Sequence, residues 1–199
     1  MVMVGYCIDQ KDEARLLSLK PKDSKLLSPK QREALYDKLL KVAKSHKTVI
    51  LPPQQIDDAL NSEESNLNWL EADTTALIIN ELRPDRVIID SPSNNIRKYQ
   101  AYLAAKLDYL PEILAEHKAD TNYPIVSAAS IIAKVTRDRE IEKLKKKLGI
   151  NFGSGYVSDP ATKDFLEKNY LDYPAIFRKT WDPYRRLAQK KNQKKLDEY

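Results

Sequence analysis

Two aspartates carry the most chemical promise in this chain. Asp90 follows the apolar run Val87-Ile88-Ile89 and precedes Ser91-Pro92. Asp120 closes Glu116-His117-Lys118-Ala119, shortly before Tyr123-Pro124-Ile125-Val126-Ser127. In each half an apolar or extended run delivers a carboxylate to a polar turn, and a helical pattern follows. Acids brought to one sheet edge repel each other unless a cation neutralises them. Mg²⁺ and Mn²⁺ take oxygen ligands of this kind, with phosphates completing the shell. Each acid also has a plainer reading. Asp90 suits a turn with Ser91-Pro92, and Asp120 suits a helix N-terminus as a favourable negative charge. Their shared placement, at the exits of neighbouring strands, favours the metal reading for the pair.

Two ions about 3.5–4 Å apart need bridging and flanking acids, and no obvious third acid accompanies these two. Glu116, on the strand before Asp120, could serve as that ligand or pair with a neighbouring lysine. The two histidines, His46 and His117, lack the paired spacing of a zinc site. Cys7 reads as a small core residue. As the single cysteine, it excludes an internal disulfide and fits a reducing cytoplasm. No phosphate-binding loop or dinucleotide fingerprint is present. Lys22, Lys25, Lys30, Lys134 and Arg178-Lys179 are candidate phosphate contacts, each also readable as a surface charge. Tyr156, in the turn-rich Gly153-Ser154-Gly155 loop, could stack on a sugar or base.

Positioning these residues requires strands that alternate with helices. Val2 to Ile8 reads as a strand. Ser28 as N-cap, Pro29 at the first helical position and Gln31 predict a capped helix to about Ser45. Thr48 to Leu51 is a short strand stopped by Pro52-Pro53, and a helix follows from about Asn66 to Leu82. Val87 to Ile89 has the β-branched, continuous character of a strand buried on both faces. Helix is expected over residues 95–107, a strand within 109–117, and a long helix from Pro124 to Gly149. Short helices are expected at 161–170 and 174–177, before a strongly basic tail from Arg185 to Lys195. The order predicts an α/β fold with a mixed sheet, in which ligands bind beyond the carboxyl ends of parallel strands.

The 199 residues suffice for one domain with a small C-terminal attachment. We expect a core over residues 1–149 and a loop and helical extension over 150–199. A net charge of +5 permits a polyanionic partner without requiring one. Charged residues form 32% of the chain, above the usual quarter, and predict an ion-paired surface. No run approaches the roughly 18–20 apolar residues of a membrane span, and no signal peptide is evident. A cytoplasmic monomer is expected.

The chain resembles archaeal ribonuclease HII, the type 2 ribonuclease H. The resemblance rests on Lys22-Asp23-Ser24-Lys25-Leu26-Leu27-Ser28-Pro29, Val87-Ile88-Ile89-Asp90-Ser91-Pro92 and Ala115-Glu116-His117-Lys118-Ala119-Asp120. It continues through Tyr123 to Lys134, Phe152-Gly153-Ser154-Gly155-Tyr156-Val157-Ser158-Asp159-Pro160 and Arg178-Lys179-Thr180-Trp181. It implies a ribonuclease H-like mixed sheet of five strands flanked by helices, with a helical C-terminal extension. It also implies an endonuclease that cuts the RNA strand of RNA–DNA hybrids, or at ribonucleotides embedded in DNA, with two Mg²⁺ or Mn²⁺ ions. The family's third and fourth metal-binding acids fall on Asp90 and Asp120, and its sugar-packing tyrosine falls on Tyr156. Within the matching blocks, Lys22, Ser24, Lys25, Ser127, Lys134, Arg178 and Lys179 are the other substrate-binding candidates.

One departure stands out. Members of the family open with a strand ending Gly-Ile-Asp-Glu-Ala-Gly-Arg-Gly, followed by a Gly-Pro-Met-Val strand, and this chain starts at Met-Val. The expectation is that the first two catalytic acids and the central strand are lacking, through a start assigned too late. Little or no cleavage is then expected from the 199 residues. The alternative is a non-catalytic protein that binds RNA–DNA hybrids.

Overall fold

The computed structural model describes residues 1–21 and 24–196. In chain order these form β1 (Val2–Cys7), α1 (Glu13–Ser18), α2 (Pro29–Val42), β2 (Ser45–Ile50), α3 (Pro53–Asn61) and α4 (Leu67–Leu82). There follow β3 (Arg86–Asp90), α5 (Ile96–Ala104), β4 (Glu112–Glu116), α6 (Ala119–Asn122), α7 (Pro124–Leu148), α8 (Pro160–Asn169) and α9 (Asp182–Leu196). Among the described residues no helix is long and apolar enough to cross a membrane.

The elements group into two compact units. One comprises Val2–Ile50 and Asn68–Arg137, and the other Met1, Leu51–Leu67 and Asp138–Tyr199. This division differs from the expected boundary at residue 149. It falls inside α7, and the 51–67 segment joins the C-terminal residues.

The first unit holds both sheets. β1 and β2 pair antiparallel, from Val2 opposite Ile50 to Cys7 opposite Ser45. β3 and β4 pair in parallel, from Arg86 opposite Glu112 to Asp90 opposite Glu116. The expected mixed sheet is therefore present as two separate two-stranded ladders, one of each sense, among the described residues. A parallel pair needs a crossover, and α5 supplies it between β3 and β4. Val87 and Ile88, expected to be buried on both faces, are only half-buried. Among the described residues β3 has a strand partner along one edge only.

Two apolar clusters support these ladders. Tyr6, Leu16, Leu39, Val42, Ala128, Ile131, Ile132 and Val135 join β1 to α1, α2 and α7. Ala72, Ala76, Ile79, Ile89, Tyr99, Leu103 and Ala115 join β3 and β4 to α4 and α5. The Tyr6 hydroxyl donates to the Leu39 carbonyl at 2.7 Å, and burial pushes its pKa up to about 12. Gly5 has a steric role, because a Cβ there would lie 2.2 Å from Ile78 Cγ2 on α4. At the start of α2, Ser28 Oγ accepts from the Gln31 amide and the Ser28 amide donates to Gln31 Oε1. That is the predicted capping box. The helix ends at Val42 rather than near Ser45, because Ser45 already pairs with Cys7.

In the second unit α3 had no sequence expectation. Pro52-Pro53 was read as a strand stop, yet Pro53 occupies the first turn of α3, where proline costs no hydrogen bond. Asp57 on that helix is buried, at 7% exposure. Its carboxylate accepts from the Lys179 amide at 2.7 Å, the Thr180 amide at 2.9 Å and the Thr180 hydroxyl at 2.6 Å. Burial pushes the Asp57 carboxyl up, but the Thr180 and Lys179 donors and the Arg178 charge hold it below its ordinary value. Replacing Asp57 by Ala strands these donors, so we predict a loss of roughly 2–4 kcal/mol in urea unfolding at neutral pH. A depressed folded-state pKa gives stability that is complete above the ordinary aspartate range. The gap between wild type and variant should therefore close only as the pH falls through that depressed value.

Candidate metal and nucleic-acid site

β3 ends at Asp90, and the ladder continues one step beyond it, with the Ser91 amide donating to the Glu116 carbonyl at 2.8 Å. β4 then enters a tight reversal in which Lys118 takes a left-handed conformation (φ 58°). This reversal points the Ala119 amide at Asp90 Oδ1, at 3.2 Å. The residue next to Asp120 is thus hydrogen-bonded to the side chain of Asp90, and the two acids stand at one place in the fold.

Their surroundings differ. Asp90 is exposed, whereas Asp120 is 4% exposed. Asp120 Oδ2 lies 3.4 Å from Lys25 Nζ, and the lysine side chain is mostly solvated. Asp120 Oδ1 is buried with no hydrogen-bond partner among the described residues. An ionised oxygen without a partner is costly when buried, and a cation at that position removes the cost. The Ser127 hydroxyl donates to the Asp120 main-chain carbonyl at 2.5 Å, fixing α6 against the first turn of α7. Both acids line a cleft of about 740 Å³. The donor set, carboxylate oxygen on oxygen, fits Mg²⁺ or Mn²⁺ rather than a softer metal. Among the described residues no three or more His, Cys, Asp or Glu side chains group as a metal site. Glu116 Oε1 accepts from the Tyr123 hydroxyl at 2.9 Å. That bond pushes the Tyr123 phenol up. His117 turns its Nδ1 to the Ser91 carbonyl at 3.2 Å.

Two of the expected substrate contacts are internal instead. Ser24 is fully buried, and its Oγ lies 2.8 Å from Ser130 Oγ, which ties the segment before α2 to α7. Ser127 is 2% exposed and spends its hydroxyl on Asp120. In the folded chain both serines are buried, with hydroxyls that meet Ser130 and the Asp120 carbonyl. Lys25 stays beside Asp120, and Lys134 is half-buried on α7. Lys22 lies outside the described residues.

The second unit carries the remaining candidates. Tyr156 is 47% exposed, in a loop where Gly153 adopts φ 76°. A Cβ on Gly153 would stand 2.6 Å from Asp159 Oδ2, so glycine is required there. The Ser154 amide donates to Asp159 at 2.7 Å and the Gly155 amide to Thr162 Oγ1 at 2.9 Å. The Ser154 and Ala161 amides hold the Asp159 carboxyl below its usual range. Arg178 is half-buried and Lys179 exposed, in the turn held by Asp57. Sequence reasoning missed Asp57, because its partners are more than a hundred residues away. The only local signal was an acid on a helix with no basic neighbour.

A helix-flanked sheet with acids at the strand exits defines the ribonuclease H-like class. A family model described as ribonuclease HII matches residues 1–183. Ribonuclease HII of Pyrococcus horikoshii is 45% identical over 199 residues, covering 96% of this chain and 88% of its own length. The crystal structure of the ribonuclease H2 from P. horikoshii OT3 matches with a TM-score of 0.81 at 40% identity, over 95% of this chain and 97% of that one. The ribonuclease HII in a complex with PCNA from Archaeoglobus fulgidus matches with a TM-score of 0.76 at 37% identity, over 88% and 81%. This chain belongs to the ribonuclease HII family and is by family a ribonuclease H. For the serine that positions Asp120, we predict that Ser127→Ala lowers stability by about 1 kcal/mol in chemical denaturation.

Proposed function

We propose that this protein is an endonuclease that hydrolyses the RNA strand of RNA–DNA hybrids, including ribonucleotides embedded in DNA. One observation carries the metal part of the reading. A buried carboxylate oxygen of Asp120 has no partner among the described residues, and the turn that holds it is hydrogen-bonded to the side chain of Asp90. Asp90 and Asp120 would hold a divalent cation, Mg²⁺ or Mn²⁺. Bound there, such an ion supplies Lewis-acid stabilisation of a phosphodiester and lowers the pKa of water.

The chain's own groups do the rest. Asp120 is held by Ser127 from the main-chain side, so its carboxylate keeps a fixed position when Lys25 moves. Lys25 compensates part of the carboxylate charge, with its Nζ 3.4 Å from Asp120 Oδ2. Lys134, Arg178 and Lys179 are assigned to backbone phosphates, and Tyr156 to the sugar at the RNA–DNA junction. A ribose 2′-hydroxyl is the group that separates RNA from DNA at such a site. Two carboxylates are too few to hold two ions, so the 199-residue chain is assigned weak cleavage at most.

Two measurements test this. Mn²⁺ binding, followed by the paramagnetic resonance of the free ion, should weaken at least tenfold in both Asp90→Asn and Asp120→Asn. Incubation of the 199-residue protein with a labelled hybrid should give little product. Strong cleavage that disappears in Asp90→Asn would refute the impaired state, and unaltered Mn²⁺ binding in both variants would refute the site.

A further inference from the structure

In the second unit, Arg178 and Lys179 belong to a short turn that the Trp181 amide closes on the Arg178 carbonyl at 3.1 Å. That turn is held from two sides. Phe177, just before it, lies against Phe165 of α8, with ring centroids 5.8 Å apart. Phe165 in turn stacks on Phe152 at 4.9 Å, at the start of the loop that carries Tyr156. From the other side comes Asp57 of α3. Its Oδ2 takes the Lys179 amide, and its Oδ1 takes the Thr180 amide and hydroxyl.

Burial pushes the Asp57 carboxyl up, yet the Thr180 and Lys179 donors and the Arg178 charge hold it below its ordinary value. It is therefore an anion at neutral pH. On Coulomb grounds alone, an anion beside Arg178 and Lys179 weakens their attraction for phosphate. What Asp57 supplies is order, because a side chain on a fixed backbone loses less freedom on binding than one on a mobile turn. Arg178 Nε is buried with no hydrogen-bond partner among the described residues, and a phosphate oxygen is the kind of acceptor it lacks.

We propose that Asp57 is a positioning residue for nucleic-acid binding. By fixing the main chain of residues 179 and 180, it holds Arg178 and Lys179 in place for a phosphate of the hybrid backbone. This rests on the assignment of those two residues to backbone phosphates in the proposed function. Asp57 acts only through the turn, which occupies both of its oxygens. The proposal also gives α3 a role, since residues 51–67 fall in the same compact unit as residues 138–199.

The test is binding of a fluorescent RNA–DNA hybrid to the 199-residue protein in EDTA, followed by anisotropy across a salt series. Lys179→Ala keeps the amide that Asp57 holds and should weaken binding at least about threefold, lowering the salt slope by roughly one. Asp57→Asn keeps the shape but sets an N–H donor against one of the turn amides. Positioning predicts a similar loss of affinity and slope, with little further loss in the double variant. Loss of the negative charge alone would instead tighten binding, so the sign of the change is decisive. Unchanged or tighter binding in Asp57→Asn, while Lys179→Ala is weakened, overturns the positioning role alone. Weaker binding with an unchanged salt slope also overturns it, as a simple loss of folded protein. If melting shows that Asp57→Asn does not fold, Thr180→Val decides, because it removes one donor and leaves the charge. Unchanged binding in that variant overturns the proposal, and weaker binding with a lower slope supports it. Unchanged binding in both Lys179→Ala and Arg178→Ala overturns the phosphate assignment and the proposal with it.

Discussion

The parallel ladder between β3 and β4 is the constraint on which the candidate site depends. Its register places Asp90 opposite Glu116, and one further bond, from the Ser91 amide to the Glu116 carbonyl, carries the pairing past the end of β3. That register decides where the chain turns, so the left-handed Lys118 aims the Ala119 amide at Asp90. A slip of one residue would send Asp90 to the other face of the ladder. The acids would then no longer share a location.

Around this ladder the chain divides its serines and acids between positioning and exposure. Ser127 and Ser24 are buried and hold α6 and the segment before α2 against α7. Asp57 does similar work in the second unit, where one carboxylate gathers three donors from residues 179 and 180. Beside these buried groups, Asp90 and Lys179 remain exposed. Sites held this way lose function through small displacements, because catalytic geometry tolerates little error.

Much of the fold was legible in the sequence. The β-branched run at Val87 to Ile89, the capping box at Ser28 and the apolar spacing of α7 each reflect local rules of period and capping, and each element is present. The helices α1 and α3 were not legible. α1 has six residues with only Leu16 buried, and Pro53 carries opposite meanings at a strand end and a helix start. The burial of Ser24 and Ser127 was not legible either, because a polar residue in a family block says nothing of its exposure.

The sequence by itself determined the family, the two acids and their delivery by successive strands, because motif identity and hydrophobic period are local properties. Only the tertiary structure decided that Asp120 is buried with an unpartnered oxygen while Asp90 is exposed. It alone showed the expected sheet divided into two ladders that line one cleft. Burial and strand pairing are set by residues far apart in the chain, and no local pattern encodes which edge of a strand stays open.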